Sequence, residues 1–281
     1  DDGSTDGTRE WLKNQTEYPQ VRPILQEHQG PQVARNKGKE AAEGVYIKFL
    51  DDDDWLIGEA LTKEVRAIKE KRADVCHGRS KIAKINGDVC IFSKISNTSQ
   101  TSDWITDLIQ ERVIYRPLCI LYRRDFILNH EWDEVLPWRQ DYQFVLTTAL
   151  SNPEVTHVDF IVGCVREHSG YRVSKSADQK KKIEIQIKLL SKFAGHLEER
   201  GLMNGRRRRA VASKAWQLGH IASAFDLTLF DEACYLIDSL EVDHIPNRSH
   251  AVLSWVDKRF GARTTDKLLY PMRKMKHKLL S

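Results

Sequence analysis

The segment Val45-Tyr46-Ile47-Lys48-Phe49-Leu50 runs straight into four consecutive aspartates, Asp51 to Asp54. An apolar, β-branched and aromatic run of this kind reads as a buried strand, and Gly44 before it is placed to cap a preceding helix. Consecutive like charges repel strongly unless a cation or solvent compensates them. A fold that buries Val45–Leu50 must therefore deliver four carboxylates to one edge of a sheet. In open α/β sheets that edge, beyond the carboxyl ends of the strands, is where ligands bind.

The surrounding pattern alternates between helix and strand. It predicts a helix over about residues 7–16 capped by Thr5 or Asp6, a short strand Val21–Leu25, and helices Gln32–Ala42 and Glu59–Lys71. Strands follow near Asp74–His77, Lys81–Ile85 and Val89–Phe92, with Asn86-Gly87 as a hairpin turn, and another over Val155–Val165. Such alternation implies an α/β fold with a mainly parallel sheet flanked by helices. Beyond about residue 175 the apolar spacing is helical, over Asp178–Arg200, Arg206–Phe225, Leu229–Leu240 and Ser249–Phe260. The expected organisation is an α/β domain over 1–175 and an all-helical region over 176–281. Trp216 to Ala233 has the spacing of a helical-hairpin repeat, but one copy does not make a solenoid.

Composition excludes some functions. With 44 Lys and Arg against 40 Asp and Glu, the net charge of +4 gives no global case for a nucleic-acid partner. Basic character is local: Arg206–Arg209, and a tail with Arg273, Lys274, Lys276 and Lys278 beside Leu268, Leu269, Met272, Met275 and Leu279. Such a tail suits peripheral association with an anionic membrane or, more simply, a solvated helix face. The five cysteines are odd in number and lack a C-x-x-C pair, which points to a reducing cytoplasm, away from a disulfide framework or structural zinc. No apolar stretch approaches the roughly 18 residues of a membrane span. The expected location is cytoplasmic, at the inner face of the membrane. A start at Asp1-Asp2-Gly3-Ser4, with neither methionine nor a preceding strand, is expected of a fragment.

Three linked segments carry a family likeness. Asp1-Asp2-Gly3-Ser4-Thr5-Asp6-Gly7-Thr8, then Ala34-Arg35-Asn36-Lys37-Gly38, then Phe49-Leu50-Asp51-Asp52-Asp53-Asp54 resemble, in order and spacing, the successive signatures of family 2 glycosyltransferases with the GT-A fold. The resemblance spans roughly residues 1–175. It implies an inverting enzyme that moves a sugar from a nucleotide diphosphate sugar, a UDP-sugar, to the hydroxyl of a saccharide or lipid-linked saccharide, in cell-surface polysaccharide or glycolipid synthesis. It also implies a first strand, ahead of the first motif, that this chain lacks.

The same resemblance assigns residues. Asp1 or Asp2 would contact the base, and Arg35 the base and phosphates, a task its permanently charged fork suits. Asp51, Asp53 and Asp54 align with a D-x-D-D motif: Asp51 and Asp53 on the nucleotide sugar, Asp53 and Asp54 on Mn2+ or Mg2+ bridging the diphosphate, with Asp52 at the variable position. Such ions are held by one or two protein carboxylates plus substrate phosphates. Trp138-Arg139-Gln140-Asp141-Tyr142 resembles an acidic motif whose aspartate deprotonates the acceptor, although Gln140 stands where the family often has an acid. Burial among Trp138, Tyr142 and Phe144 would raise the proton affinity of Asp141, as a base requires. Arg166-Glu167-His168-Ser169 resembles a loop that closes over the donor phosphates, with His168 near them.

Each residue has a plainer alternative. The acids could form a solvated turn capping the next helix, Arg35 a surface position, Asp141 the cap of a helix from about Tyr142 to Leu150, and His168 an ordinary polar residue. Two other functions compete. A sugar-phosphate nucleotidyltransferase would carry a glycine-rich phosphate loop near its first strand, and none is visible. A catalytically silent domain binding a partner through the helical region would have little use for the intact acids and Asp141.

Overall fold

The computed structural model describes residues 1–86, 89–95, 103–112, 116–167, 178–242 and 261–280. The chain divides into two compact units, Asp1–Thr98 with Ile114–Ser169, and Ser99–Val113 with Gly170–Ser281.

The first unit is α/β. In chain order it carries helices α1 (Thr8–Asn14) and α2 (Pro31–Ala41), strands β1 (Tyr46–Lys48) and β2 (Trp55–Leu56), and helix α3 (Ala60–Lys71). Strands β3 (Val75–Asn86) and β4 (Val89–Ile95) follow, then β5 (Ile120–Arg123), the short helix α5 (Arg124–Ile127), helix α6 (Gln140–Ala149) and strand β6 (Val155–Glu167); α4 belongs to the second unit. The strand order is β1-β5-β3-β6-β2, with β4 paired to β3 beside that path.

The α/β class is as expected, but the sheet is mixed where a mainly parallel one was predicted. Among the strands of the described residues, β3 and β6 pair in parallel, whereas β1–β5, β5–β3, β3–β4 and β6–β2 are antiparallel. The physical reason is β5. Strands β1, β3 and β6 all run in one direction, as helical crossovers dictate, but β5 inserts between β1 and β3 running the other way. Local alternation reveals the crossovers and not the strand that arrives later from far along the chain.

Other boundaries shift for similar reasons. Val21–Leu25 forms no strand; the isolated parallel bridge Asp2–Gln26 follows it. The run before the acids is a strand for three residues, with Val45 70% and Leu50 48% exposed. Helix α2 ends at Ala41 with Ala42 as its C-cap, so Gly44 is not its cap. The two strands expected over 74–85 are one continuous β3. Gly87 of the expected hairpin lies outside the described residues, while Asn86 and Val89 pair in register.

Period-2 alternation on β1 sends its side chains to two layers. Lys48 turns towards α3, where its ammonium meets Glu64 at 2.7 Å with both side chains buried. Removing one partner of such a pair would strand the other charge. Ile47 and Phe49 turn the opposite way, onto an aromatic cluster. Phe49 meets Trp132, Phe144 and Tyr122 edge-on at centroid distances of 5.3, 5.7 and 6.3 Å, and Trp132 stacks on Phe144 at 4.2 Å. Burying each large apolar ring contributes roughly 1.5–3 kcal/mol. The cluster therefore fixes Phe49, two residues before the first aspartate.

The second unit is helical. Short α4 (Trp104–Ile109) joins α7 (Gln179–Glu199), α8 (Gly205–Ala222), α9 (Leu227–Ser239) and α10 (Ala262–Leu280). The helix expected over 249–260 lies outside the described residues. Asn204 caps α8 and Asp226 caps α9 through side-chain oxygens. Gly219 permits close approach of α8 and α9, since a Cβ there would sit 2.9 Å from that of Ala233. Two members of the basic run are already paired: Arg207 chelates Asp103, and Arg208 meets Glu198. Cys76 and Cys119 in the first unit, with Cys164, and Cys234 in the second are free and buried. Among the described residues no helix is long and apolar enough to cross a membrane.

Candidate active site

Asp51–Asp54 form a turn closed by the Asp54 N–H donating to the Asp51 carbonyl at 3.1 Å. The turn is stitched to β6. Arg166 N donates to Asp54 Oδ1 at 3.0 Å, and β2 immediately after pairs Trp55 with Cys164 and Leu56 with Gly163. Glycine at 163 is required there, because a Cβ would fall 2.2 Å from Leu118 Cδ1 and 2.9 Å from the Trp55 carbonyl. The acids thus stand at the carboxyl end of β1, as the sequence predicts.

Asp54 is perturbed by its surroundings. Burial first, then the neighbouring charges of Asp53 and Asp51, raises its pKa to about 6, against opposing pulls from Arg166 N–H and Arg116. Among the described residues no three His, Cys, Asp or Glu side chains converge to hold an ion. A divalent ion bridging a diphosphate needs only one or two protein carboxylates. Asp54 is partly buried and feels the charges of Asp53 and Asp51, which such an ion would compensate. The residues present fit it.

Asp141 lies in the first turn of α6, whose N-cap is Arg139 in the left-handed region at φ 66°. Asp141 therefore does not cap the helix, and the plainer alternative for it fails. The Arg139 guanidinium sits 4.8 Å from the Tyr142 ring centroid and 5.2 Å from that of Trp138, which helps hold this unusual backbone. The Asp141 side chain keeps 32% of its surface accessible. Its pKa is nonetheless raised to about 6, first by burial and then by Asp51, with Arg35 and Arg116 opposing.

Arg35, on α2, joins the two acidic groups. Its Nη2 donates to Asp51 Oδ1 at 2.6 Å, and its Nη1 lies 3.6 Å from Asp141 Oδ1. Its guanidinium carbon stands 4.6 Å from the Trp132 ring centroid. Arg35, Asp51 and Asp141, predicted from separate segments, are therefore one cluster.

Asp1 and Asp2 are not drawn into it by any direct bond. Asp1 accepts from Gly3 N and Ser4 N and pairs with Arg9 at 3.0 Å. Asp2 accepts from Gln26 Nε2, Gln29 N and Gly30 N at 2.6, 2.8 and 2.9 Å. Burial pushes its carboxyl up, but these bonds and His28 outweigh it and leave the pKa below the usual value. Gly30, at φ 101°, is the N-cap of α2, so Asp2 anchors the helix that carries Arg35. His168 lies outside the described residues.

Three participants were not foreseen. Arg116 acts on both Asp54 and Asp141 and donates to Ser80 Oγ at 3.2 Å. Asn36 binds the main chain of Trp132, and Trp132 underlies Arg35. Asn36 stands in the same short motif as Arg35, which was the one available signal; Trp132 and Arg116 sit in segments without periodicity.

Residues 1–130 match the sequence model described as glycosyl transferase family 2. A Haemophilus influenzae protein described as a glycosyltransferase is 30% identical over 148 residues, 52% of this chain and 56% of the relative. The glycosyltransferase YibD of Escherichia coli K12 is 49% identical over 145 residues, 46% of this chain and 40% of YibD. This chain thus spans about half the length of these relatives. The crystal structure of S. aureus TarS 1–349 with UDP-GlcNAc superposes with a TM-score of 0.65 over 97% of this chain and 81% of that one, at 18% identity. That likeness establishes a shared fold.

Proposed function

With residues 1–130 matching the glycosyl transferase family 2 model, we propose that the chain transfers a sugar from a nucleotide diphosphate sugar to an acceptor hydroxyl by metal-assisted, inverting displacement. The observation that carries this reading is the junction of Asp51 and Asp141 through Arg35. It sets a group suited to the donor beside a group suited to the acceptor.

Asp141 acts as the general base. A carboxylate with a pKa of about 6 is mostly ionised near neutrality, yet its proton affinity is close enough to working pH to take the acceptor's proton in the transition state. The acceptor oxygen bonds to the anomeric carbon as the bond from that carbon to the diphosphate oxygen breaks, which inverts the centre. Arg35 offers its guanidinium to the donor phosphates while orienting Asp51, and Asp51 and Asp53 hold the nucleotide sugar. Asp53 and Asp54 would hold Mn2+ or Mg2+, which when bound neutralises charge on the departing diphosphate. Asp1 or Asp2 meets the base, and Asp2 also holds the start of α2.

Uridine is the base favoured, on the support of UDP-GlcNAc bound by TarS. The acceptor class is a saccharide or lipid-linked saccharide at the cytoplasmic face of a membrane, in polysaccharide or glycolipid synthesis. Calorimetric titration of UDP with and without Mn2+, with Asp53→Ala as control, tests the reading. Metal-dependent binding that disappears in the variant is expected. Absence of binding by any nucleoside diphosphate would replace the enzyme with a silent binding domain.

A further inference from the structure

Helix α2 carries an unusual buried stripe. Gln32, Asn36 and Lys39 are 6%, 5% and 2% exposed, and their spacing of four and three puts them on one face. Buried polar groups of this kind must find partners. All three find main-chain oxygens of one irregular segment: Gln32 Nε2 donates to the Leu136 carbonyl at 2.7 Å, Asn36 Nδ2 to the Trp132 carbonyl at 3.1 Å, and Lys39 Nζ to the His130 carbonyl. The segment pairs with no strand, so its backbone depends on such partners.

Asn36 differs from the other two. Its Oδ1 also accepts from Trp132 N at 2.9 Å, so one side-chain amide satisfies both main-chain groups of a single residue, as a neighbouring strand would. A carboxamide alone offers a donor and an acceptor side by side for this. Asn36 Nδ2 further donates to Glu134 Oε1 at 3.0 Å. The residue so gripped is the one whose indole stacks on Phe144 and lies under the Arg35 guanidinium. Arg35 and Asn36 are adjacent on α2. The helix therefore reaches the catalytic junction twice, directly through one side chain and indirectly through the ring supporting it.

We propose that Asn36 is a positioning residue for Asp141: by holding both main-chain groups of Trp132 it fixes the ring on which Arg35 rests between Asp51 and Asp141. The inference rests on Asp141 being the base. Gln32 and Lys39 hold the same segment without touching Trp132, and serve its folding only.

The test reads Asp141 itself, with no donor or acceptor. The charged groups facing Asp141 are Arg35, Asp51 and Arg116, and of these Arg35 alone stands on Trp132. In full-length protein labelled with 13C at aspartate Cγ and assigned with Asp141→Asn, the Asp141 carboxyl is titrated in wild type, Asn36→Ala and Gln32→Ala. Loss of the Arg35 hold removes a stabiliser of the carboxylate, so the Asn36→Ala midpoint rises by at least half a pH unit while Gln32→Ala stays at the wild-type value. A folded Asn36→Ala with an unmoved midpoint, or an equal rise in both variants, overturns the proposal. Should Asn36→Ala fail to fold, Trp132→Phe keeps the stack and both main-chain bonds but offers a weaker face to the cation. A smaller rise is then expected, and none would refute the coupling. Because no nucleotide is present, failure here is separable from failure to bind UDP.

Discussion

Arg35 donates to Asp51 at 2.6 Å across 16 residues of sequence, and this bond ties the helix of one motif to the strand end of another. The pairing is charge-assisted, and a hydrogen bond to a charged group contributes about 1.5–3 kcal/mol. Arg35→Ala is therefore expected to weaken UDP binding about 30-fold, near 2 kcal/mol. Arg35→Lys keeps the charge but loses the fork that reaches both acids, and should recover only part of the affinity. Calorimetry on both variants checks this; a lysine that restores wild-type binding would reduce Arg35 to a point charge.

Asp141→Asn removes the proposed base while conserving shape. General-base catalysis typically supplies about 10²–10⁴-fold, so turnover should fall by that order with UDP affinity nearly unchanged. In wild type the base must be ionised, so the rate should decline as pH falls through about 6. This acid limb should vanish in the residual activity of the asparagine variant. A rate profile flat from pH 5 to 8 in wild type would remove Asp141 from the chemistry.

The acidic turn was legible from an apolar run that ends in four acids, whereas Arg35 and Asp141 were singled out by the family resemblance of their motifs. Their meeting was not legible from spacing. It depends on β5 inserting antiparallel between β1 and β3, and on α2 gripping the 130–136 segment. Gln32, Asn36 and Lys39 are polar residues that lie on a buried face of their helix. Burial of a polar stripe is set by a partner backbone nearly a hundred residues away, and no local pattern encodes that. Val21–Leu25 has residue types that suit a strand, but residue type does not specify a pairing partner.

Ionisation of Asp54 works against the stability of the folded chain. Its folded pKa, about 6, lies above the ordinary carboxylate value, so the folded chain binds a proton more tightly than the unfolded chain does. The resulting destabilisation is absent below about pH 4, grows as pH rises through the window up to about 6, and is complete above it. Asp54→Asn keeps an acceptor for Arg166 N–H and removes the charge. It should stabilise the metal-free protein at pH 7 by about 1 kcal/mol after allowance for solvent screening, roughly 2–4 °C in Tm. The gain should disappear at pH 4, and metal-dependent UDP binding should be lost at pH 7. A variant less stable than wild type at pH 7 would show that the carboxylate is structural.

In the helical unit, Asp266 is fully buried and accepts from His220 Nδ1 at 2.9 Å on α8, while Arg273 Nη1, one helical stretch further along α10, pairs with it at 2.7 Å. Arg273 also donates to Ser223 Oγ at 2.6 Å, just past the end of α8. One carboxylate thus fastens α10 to α8 at a point where Leu268 is 69% exposed and contributes little burial. Removing Asp266 leaves the Arg273 guanidinium, whose side chain is 20% exposed, without its carboxylate, at a cost of up to about 3 kcal/mol. Asp266→Ala is expected to release α10 locally, with main-chain amides over 265–273 exchanging on the order of 100-fold faster while those of α8 and α9 keep their protection. Unchanged exchange over 265–273 would mean that the remaining contacts, among them Lys267 with Asp231 and Arg263 with Asp238, hold the helix without Asp266.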